Sequence, residues 1–183
     1  MSAGERRLIY HSRVFDLFEV EVTLPQGQRR TFSLIDHRPC VCVAPVTERG
    51  ELLFIRQYRY AVDRILIELP AGNMDRDDES PEECAQRELA EETGFRAGRL
   101  VKLFAGYLVP GYGNEYMHYF LACDLVPASL PADEDESIEV FTASLTEAHD
   151  MIKRGLICDS KTALAVYLAA EHLRGVAGFS PSP

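Results

Sequence analysis

The segment "ESPEECAQRELAEETGF" constrains this chain more than any other, because it spells out both ends of one helix. Ser80 is an N-cap, Pro81 takes the first helical position, Glu83 closes a capping box, and Gly94 suits the left-handed residue that ends a helix. The helix so bounded is strongly acidic. Residues 75 to 92 hold nine acidic side chains against two basic ones, Arg76 and Arg87. Carboxylates three or four residues apart weaken a helix by a few tenths of a kcal/mol per pair unless something positive lies between them. Glu88 and Glu92 stand about 40° apart around the axis and about 6 Å along it, so their oxygens can share one ion. Arg87 and Glu91 form the adjacent i,i+4 pair, which lets Arg87 hold Glu91 while the other two face a cation. Oxygen ligands without His or Cys select a hard ion, Mg²⁺ or Mn²⁺, of the kind bound by carboxylates together with substrate phosphates. An acidic protein would meet an anionic phosphate substrate through such an ion.

Around this helix the sequence reads as α+β with a mixed sheet between helices. "VFDLFEVEVTL", the turn "PQGQ" and "RRTFSLIDH" make an opening two-stranded hairpin with one buried face. "CVCVAPVT" and "LLFIRQYRY" make a second hairpin, and "ILIELPAG" is a strand whose pairing ends at Pro70 and Gly72. Strands near "LVKLFAGYL", "YMHYFLACDLV" and "IEVFTAS" follow, then the helices "LTEAHDMIKRG" and "DSKTALAVYLAAEHLRG". On the last helix Ala163, Leu164, Val166, Tyr167 and Leu168 are the inward-facing candidates. One domain over residues 1–178 is expected, with a hairpin region at 1–38 and a catalytic core at 39–178; "GFSPSP" runs into a disordered tail at 179–183.

Composition removes several function classes. The net charge of -10 and the lack of any Lys/Arg-rich run exclude a nucleic-acid footprint. No apolar stretch has the length of a membrane span, and the first residues lack the apolar core of a signal peptide, so a cytoplasmic location is expected. Five scattered cysteines without a CxxC pair argue against a disulfide framework and read as core residues or free thiols.

"GNMDRDDESPEECAQRELAEETGF" resembles the Nudix box, whose pattern is G, five residues, E, seven residues, REUxEExGU with U bulky and apolar. Glu79, Arg87, Glu88, Leu89, Glu91, Glu92, Gly94 and Phe95 all fall in place. Six residues rather than five separate Gly72 from Glu79, so either the loop carries one extra residue or Asp78 takes the first glutamate's place. "ELPAG", "VPGYGNE", "DEDESIEV" and the N-terminal hairpin extend the likeness to the ADP-ribose pyrophosphatase branch.

The resemblance implies a Nudix-type α/β/α sandwich whose N-terminal hairpin crosses to a second subunit in a homodimer. It implies Mg²⁺-dependent (or Mn²⁺-dependent) hydrolysis of ADP-ribose to AMP and ribose 5-phosphate. Hydrolysis of GDP-mannose or another nucleoside diphosphate sugar, and nucleotide-sugar sensing without catalysis, are the alternatives. The family's metal ligands fall on Glu88, Glu92 and the carbonyl of Ala71, with Glu91 either a further ligand or the partner of Arg87. Glu136, Glu134 two positions away, and Glu91 are the catalytic candidates. Arg59, or more weakly Arg56, matches the position that holds the pyrophosphate, and Glu115 the acid that accepts from the terminal ribose hydroxyls. Pro110, about fifteen residues past the box, is the branch's mark for ADP-ribose. Tyr58, Tyr60, Tyr107 and Tyr112 are aromatic residues able to stack on a base but more often found in cores.

Overall fold

In the computed structural model the residues described are 2–128 and 138–177, and the chain falls into two units, Met1–Cys40 with Ala105–Met117, and Val41–Phe104 with His118–Pro183. The first unit is built on an antiparallel sheet in the order β1 (Ser2–His11), β2 (Phe15–Thr23), β3 (Arg29–His37). β2 and β3 are the expected hairpin, in unbroken register from Phe15↔His37 to Thr23↔Arg29. Its turn is closed by Gly27 at φ +81, a conformation that a side chain would resist.

β1 corrects the expectation of two opening strands. Its pairing with β2 shifts register twice, between Ala3 and Arg6 and between Leu8 and Tyr10. Each irregularity breaks the period-two alternation by which a strand is read from sequence. Leu8, Ile9, Tyr10, Val14 and Phe32 of this unit are all exposed.

In the second unit β4 (Cys40–Pro45) is buried along its length and lies in a four-stranded sheet ordered β7-β4-β9-β8. β7 is Ala71–Asn73, β8 Phe95–Tyr107 and β9 Tyr116–Pro127, the last two continuing into the residues of the first unit. A three-stranded sheet runs β10-β5-β6, with β5 Glu51–Arg59, β6 Arg64–Glu68 and β10 Glu139–Ser144. The class is α+β, as the sequence indicates. Pairing resumes at β7 right after Pro70, whose carbonyl accepts from Val43 N–H at 2.8 Å.

α1 (Pro81–Thr93) has the caps the sequence specifies: both capping-box bonds between Ser80 and Glu83 form, and Gly94 takes φ +75. Its apolar side, Cys84, Ala85 and Leu89, packs on Val41, Val43, Phe120 and Ala122 in one core cluster. α2 (Leu145–Lys153) is capped by Ser144 and Glu147 in the same way.

α3 (Ser160–Ala177) buries Thr162, Ala165, Val166, Ala169 and Ala170. Leu164 and Tyr167, expected inside, point outward, and Tyr167 rests against His149 of α2 with ring centroids 4.9 Å apart. A face of small residues lets this helix pack closely, and the larger side chains are left to its flank. Among the described residues no helix is long and apolar enough to cross a membrane. All five cysteines are free, and four are buried.

Thr162 ties α3 to the sheet. Its hydroxyl oxygen accepts from Leu69 N–H at 3.0 Å, and it donates to Asp159 Oδ2 at 2.5 Å. Thr162→Val keeps the shape but leaves a buried N–H unsatisfied, so urea unfolding should show a loss of about 1–3 kcal/mol; an unchanged midpoint would mean that the bond is not stabilising.

Candidate active site

The positive group among the box carboxylates is Arg87, only 10% exposed at its side chain. Its Nε and Nη2 donate to the two oxygens of Glu79 at 2.8 and 2.9 Å. Nη1 donates to Glu88 Oε1 at 2.5 Å and to Glu91 Oε2 at 3.1 Å, and Nη2 also reaches the Asn73 carbonyl at 3.0 Å. Arg87 therefore holds more than Glu91: it gathers three glutamates and the end of β7. Hydrogen bonds from Arg87 also keep the Glu79 carboxyl below the usual range despite its burial.

The contacts of Arg87 bear on the choice between Asp78 and Glu79. Asp78 sits at φ +61, a left-handed conformation rare outside glycine but tolerated by Asp. Glu79, the next residue, is the acid that pairs with Arg87.

Glu91 is engaged on both oxygens, by Arg87 and by Arg76 Nη2 at 3.1 Å. Glu91 is thus in contact with Arg87, one of the two roles expected of it. Glu92 Oε2 instead accepts from Ala71 N–H at 3.1 Å, which joins the helix to β7. The Glu88 carboxylate lies against Gly72, where any Cβ would fall on its carboxyl atoms. Only glycine leaves this cradle open. Oxygen atoms of Glu88 and Glu92 beside β7 form a donor set that fits a hard divalent ion.

Burial drives the Glu88 carboxyl up to about 7; Arg87 pulls against that, and Glu91 and Asp75 push it further.

Arg59, on β5, makes a two-toothed ion pair with Glu68, Nε and Nη2 each 2.8 Å from a carboxylate oxygen. Glu68 is 1% exposed and also accepts from Lys161, which in turn donates to Asp159 at 3.0 Å. Burial pushes the Glu68 carboxyl up, but Arg59 and Lys161 outweigh it and hold it low. Sequence reasoning missed both Glu68 and Lys161. A lone acid inside the apolar run "ILIEL" was a signal for the first; Lys161, 93 residues away, had none.

Arg56 donates to Glu139 Oε1 at 2.7 Å and lies 4.2 Å from the centre of the Phe141 ring. Tyr58, Tyr60, Tyr107 and Tyr112 are all more than half exposed, so none is a core residue. In the first unit, Pro110 lies exposed at the start of a turn in which the Tyr112 and Gly113 N–H groups donate to the Val109 carbonyl. Glu115 is half-buried and receives the Cys40 thiol at 3.6 Å. Glu134 and Glu136 lie outside the described residues.

The NUDIX domain model matches residues 36–161. An ADP-ribose pyrophosphatase of Bacillus subtilis (strain 168) is 36% identical over 160 residues, 86% of each chain. A GDP-mannose pyrophosphatase of Yersinia enterocolitica serotype O:8 is 35% identical over 178 residues, 88% of this chain and 87% of the other. A solved structure titled as an ADP compounds hydrolase superposes with a TM-score of 0.87 at 27% identity, covering 97% of this chain and 96% of its own. The chain belongs to the Nudix family, as a Nudix pyrophosphohydrolase.

A group whose folded pKa lies above its unfolded value binds more protons in the native state between the two, so stability falls as pH rises through that window. For Glu88 the window runs from the ordinary 4.5 to about 7. In metal-free protein, Glu88→Gln should therefore gain on wild type by up to about 3 kcal/mol as pH rises through this range. Denaturant unfolding at several pH values reads the difference; one that does not vary with pH contradicts it.

Proposed function

We propose that this chain hydrolyses the pyrophosphate bond of ADP-ribose to AMP and ribose 5-phosphate, using Mg²⁺ or Mn²⁺. The observation that carries the reading is the placing of Glu88 and Glu92 beside β7, held by Arg87, by the Ala71 N–H and by the space at Gly72. The substrate is suggested by the Bacillus subtilis relative, which matches over 86% of each chain.

Glu88, Glu92 and the carbonyl of Ala71 would hold the ion. When bound, it supplies charge screening for the phosphate oxygens and makes the attacking water more acidic. The water oxygen bonds to one phosphorus, and the bridging oxygen leaves with the other. Glu136, or Glu134, would take the water's proton, a role that requires a carboxylate within hydrogen-bond reach. Arg59, oriented by its ion pair with Glu68, adds positive charge toward the phosphates; Arg56 is the weaker candidate. Glu115 accepts from ribose hydroxyls, and Pro110 shapes the loop that carries it. Glu91 helps to hold Arg87.

Hydrolysis of GDP-mannose is the second reading, favoured by the Yersinia relative. The exposed Leu8, Ile9, Tyr10 and Phe32 suit burial against a second copy, and we assign a homodimer; light scattering that finds only monomer would oppose it. Five free cysteines suit the reducing cytoplasm.

Purified protein with Mg²⁺ should release AMP from ADP-ribose faster than it cleaves GDP-mannose or other nucleotide sugars in a parallel panel. A preference for another sugar would replace the substrate assignment. Glu92→Gln should lower turnover roughly 100-fold or more while the fold persists; full activity in that variant refutes the assigned ligand.

A further inference from the structure

The geometry points to a second metal site, of a different chemical kind, formed by His37, Cys40 and Glu115 and selective for a thiophilic ion such as Zn²⁺. One ligand atom from each residue lies within 4.8 Å of the others. The Cys40 sulfur stands 3.7 Å from His37 Nδ1 and 3.6 Å from Glu115 Oε1. Sulfur, nitrogen and oxygen ligands about 2.0–2.3 Å from a tetrahedral zinc stand about 3.3–3.7 Å apart. The two spacings from the sulfur fall in that range.

The Arg38 carbonyl, 2.7 Å from Nδ1 and 3.4 Å from the sulfur, accepts from both, so Nδ1 carries the proton that an ion would displace. A water would fill the fourth position. The donors also differ from those at Glu88 and Glu92: thiolate and imidazole favour zinc, cobalt or copper over Mg²⁺.

The three residues come from separate parts of the first unit and are fixed there by the backbone. His37 ends β3 and Cys40 opens β4, while Glu115 follows the loop 108–114. The loop is bonded to β3 through Ile35 N–H to the Tyr112 carbonyl at 2.8 Å and Asn114 N–H to the Ile35 carbonyl at 3.2 Å. The Asn114 side chain takes the His37 N–H at 2.8 Å and donates to Asp36. Ligands held this way lose little freedom on binding. Cys40 is 3% exposed, so the thiolate would be shielded from bulk solvent.

Binding exchanges protons in balance. The ion replaces the thiol proton, which leaves to solvent, and takes the Nδ1 position of a neutral imidazole whose proton moves to Nε2. It also claims Glu115. If Glu115 accepts from ribose, as proposed above, zinc here should weaken substrate binding; this consequence rests on that reading, whereas the metal site does not.

The test is a Co²⁺ titration of the whole chain in excess Mg²⁺, followed by absorption. One equivalent should give a sulfur-to-cobalt charge-transfer band, retained in Cys158→Ser and lost in both Cys40→Ser and His37→Asn, with circular dichroism confirming that each variant is folded. Absence of the band in wild type, or its survival in folded Cys40→Ser or His37→Asn, overturns the site. Zinc should then raise the KM for ADP-ribose several-fold in wild type. A band without that inhibition upholds the metal site and removes Glu115 from ribose binding.

Discussion

One guanidinium, that of Arg87, is the interaction on which the rest of the site depends. A charge taken out of water costs several kcal/mol unless it is matched at close range. Arg87 is matched four times over, by Glu79, Glu88, Glu91 and Asp75, and is also fastened to the Asn73 carbonyl. Those bonds fix the roll of α1 against β7 and the path of the loop between them. They also leave an imbalance, since one positive charge faces several carboxylates. Glu92 accepts from the Ala71 N–H, and it and Glu88 both lie beside β7. A divalent ion is the counterweight proposed, and the glycine at 72 keeps room for the Glu88 carboxylate that would hold it.

A second buried group of charges has the same character. Glu68 is shared by Arg59 and Lys161, and Lys161 is shared by Asp159, so two acids and two bases alternate in a chain of short contacts. Asp159 also receives the Thr162 hydroxyl, whose oxygen caps the Leu69 N–H. The end of β6, the turn that leads to Ala71 and the start of α3 are thereby fixed as one piece. A rigid turn is what a ligand carbonyl at Ala71 would require, because a hard ion binds best to oxygens that do not have to be gathered from mobile chain.

What could be read from the sequence followed the range of the forces involved. α1 was legible to its last residue because its caps are local: Ser80, Glu83 and Gly94 act within one turn. The hairpin of β2 and β3 was legible because its register is unbroken, while the bulged β1 hid its own alternation. Periodicity marked α3 as amphipathic but not which side is buried; Leu164 and Tyr167 lose the core to alanines because the helix packs closely. Long-range ion pairs such as Glu68 with Lys161 leave no pattern in either segment. The spacing around Glu79 was ambiguous on paper, and it is the two contacts from Arg87, eight residues on, that single out Glu79.

On the proposed reading, Arg87 arranges the box so that Glu88 and Glu92 face a common ion. Anomalous scattering from crystals soaked in Mn²⁺ with a non-hydrolysable ADP-ribose analogue tests it most directly. The account predicts a manganese peak about 2.1 Å from a carboxylate oxygen of each of these two residues. A peak held by Glu79 and Glu91 instead, or none near α1 while nucleotide is bound, would contradict it.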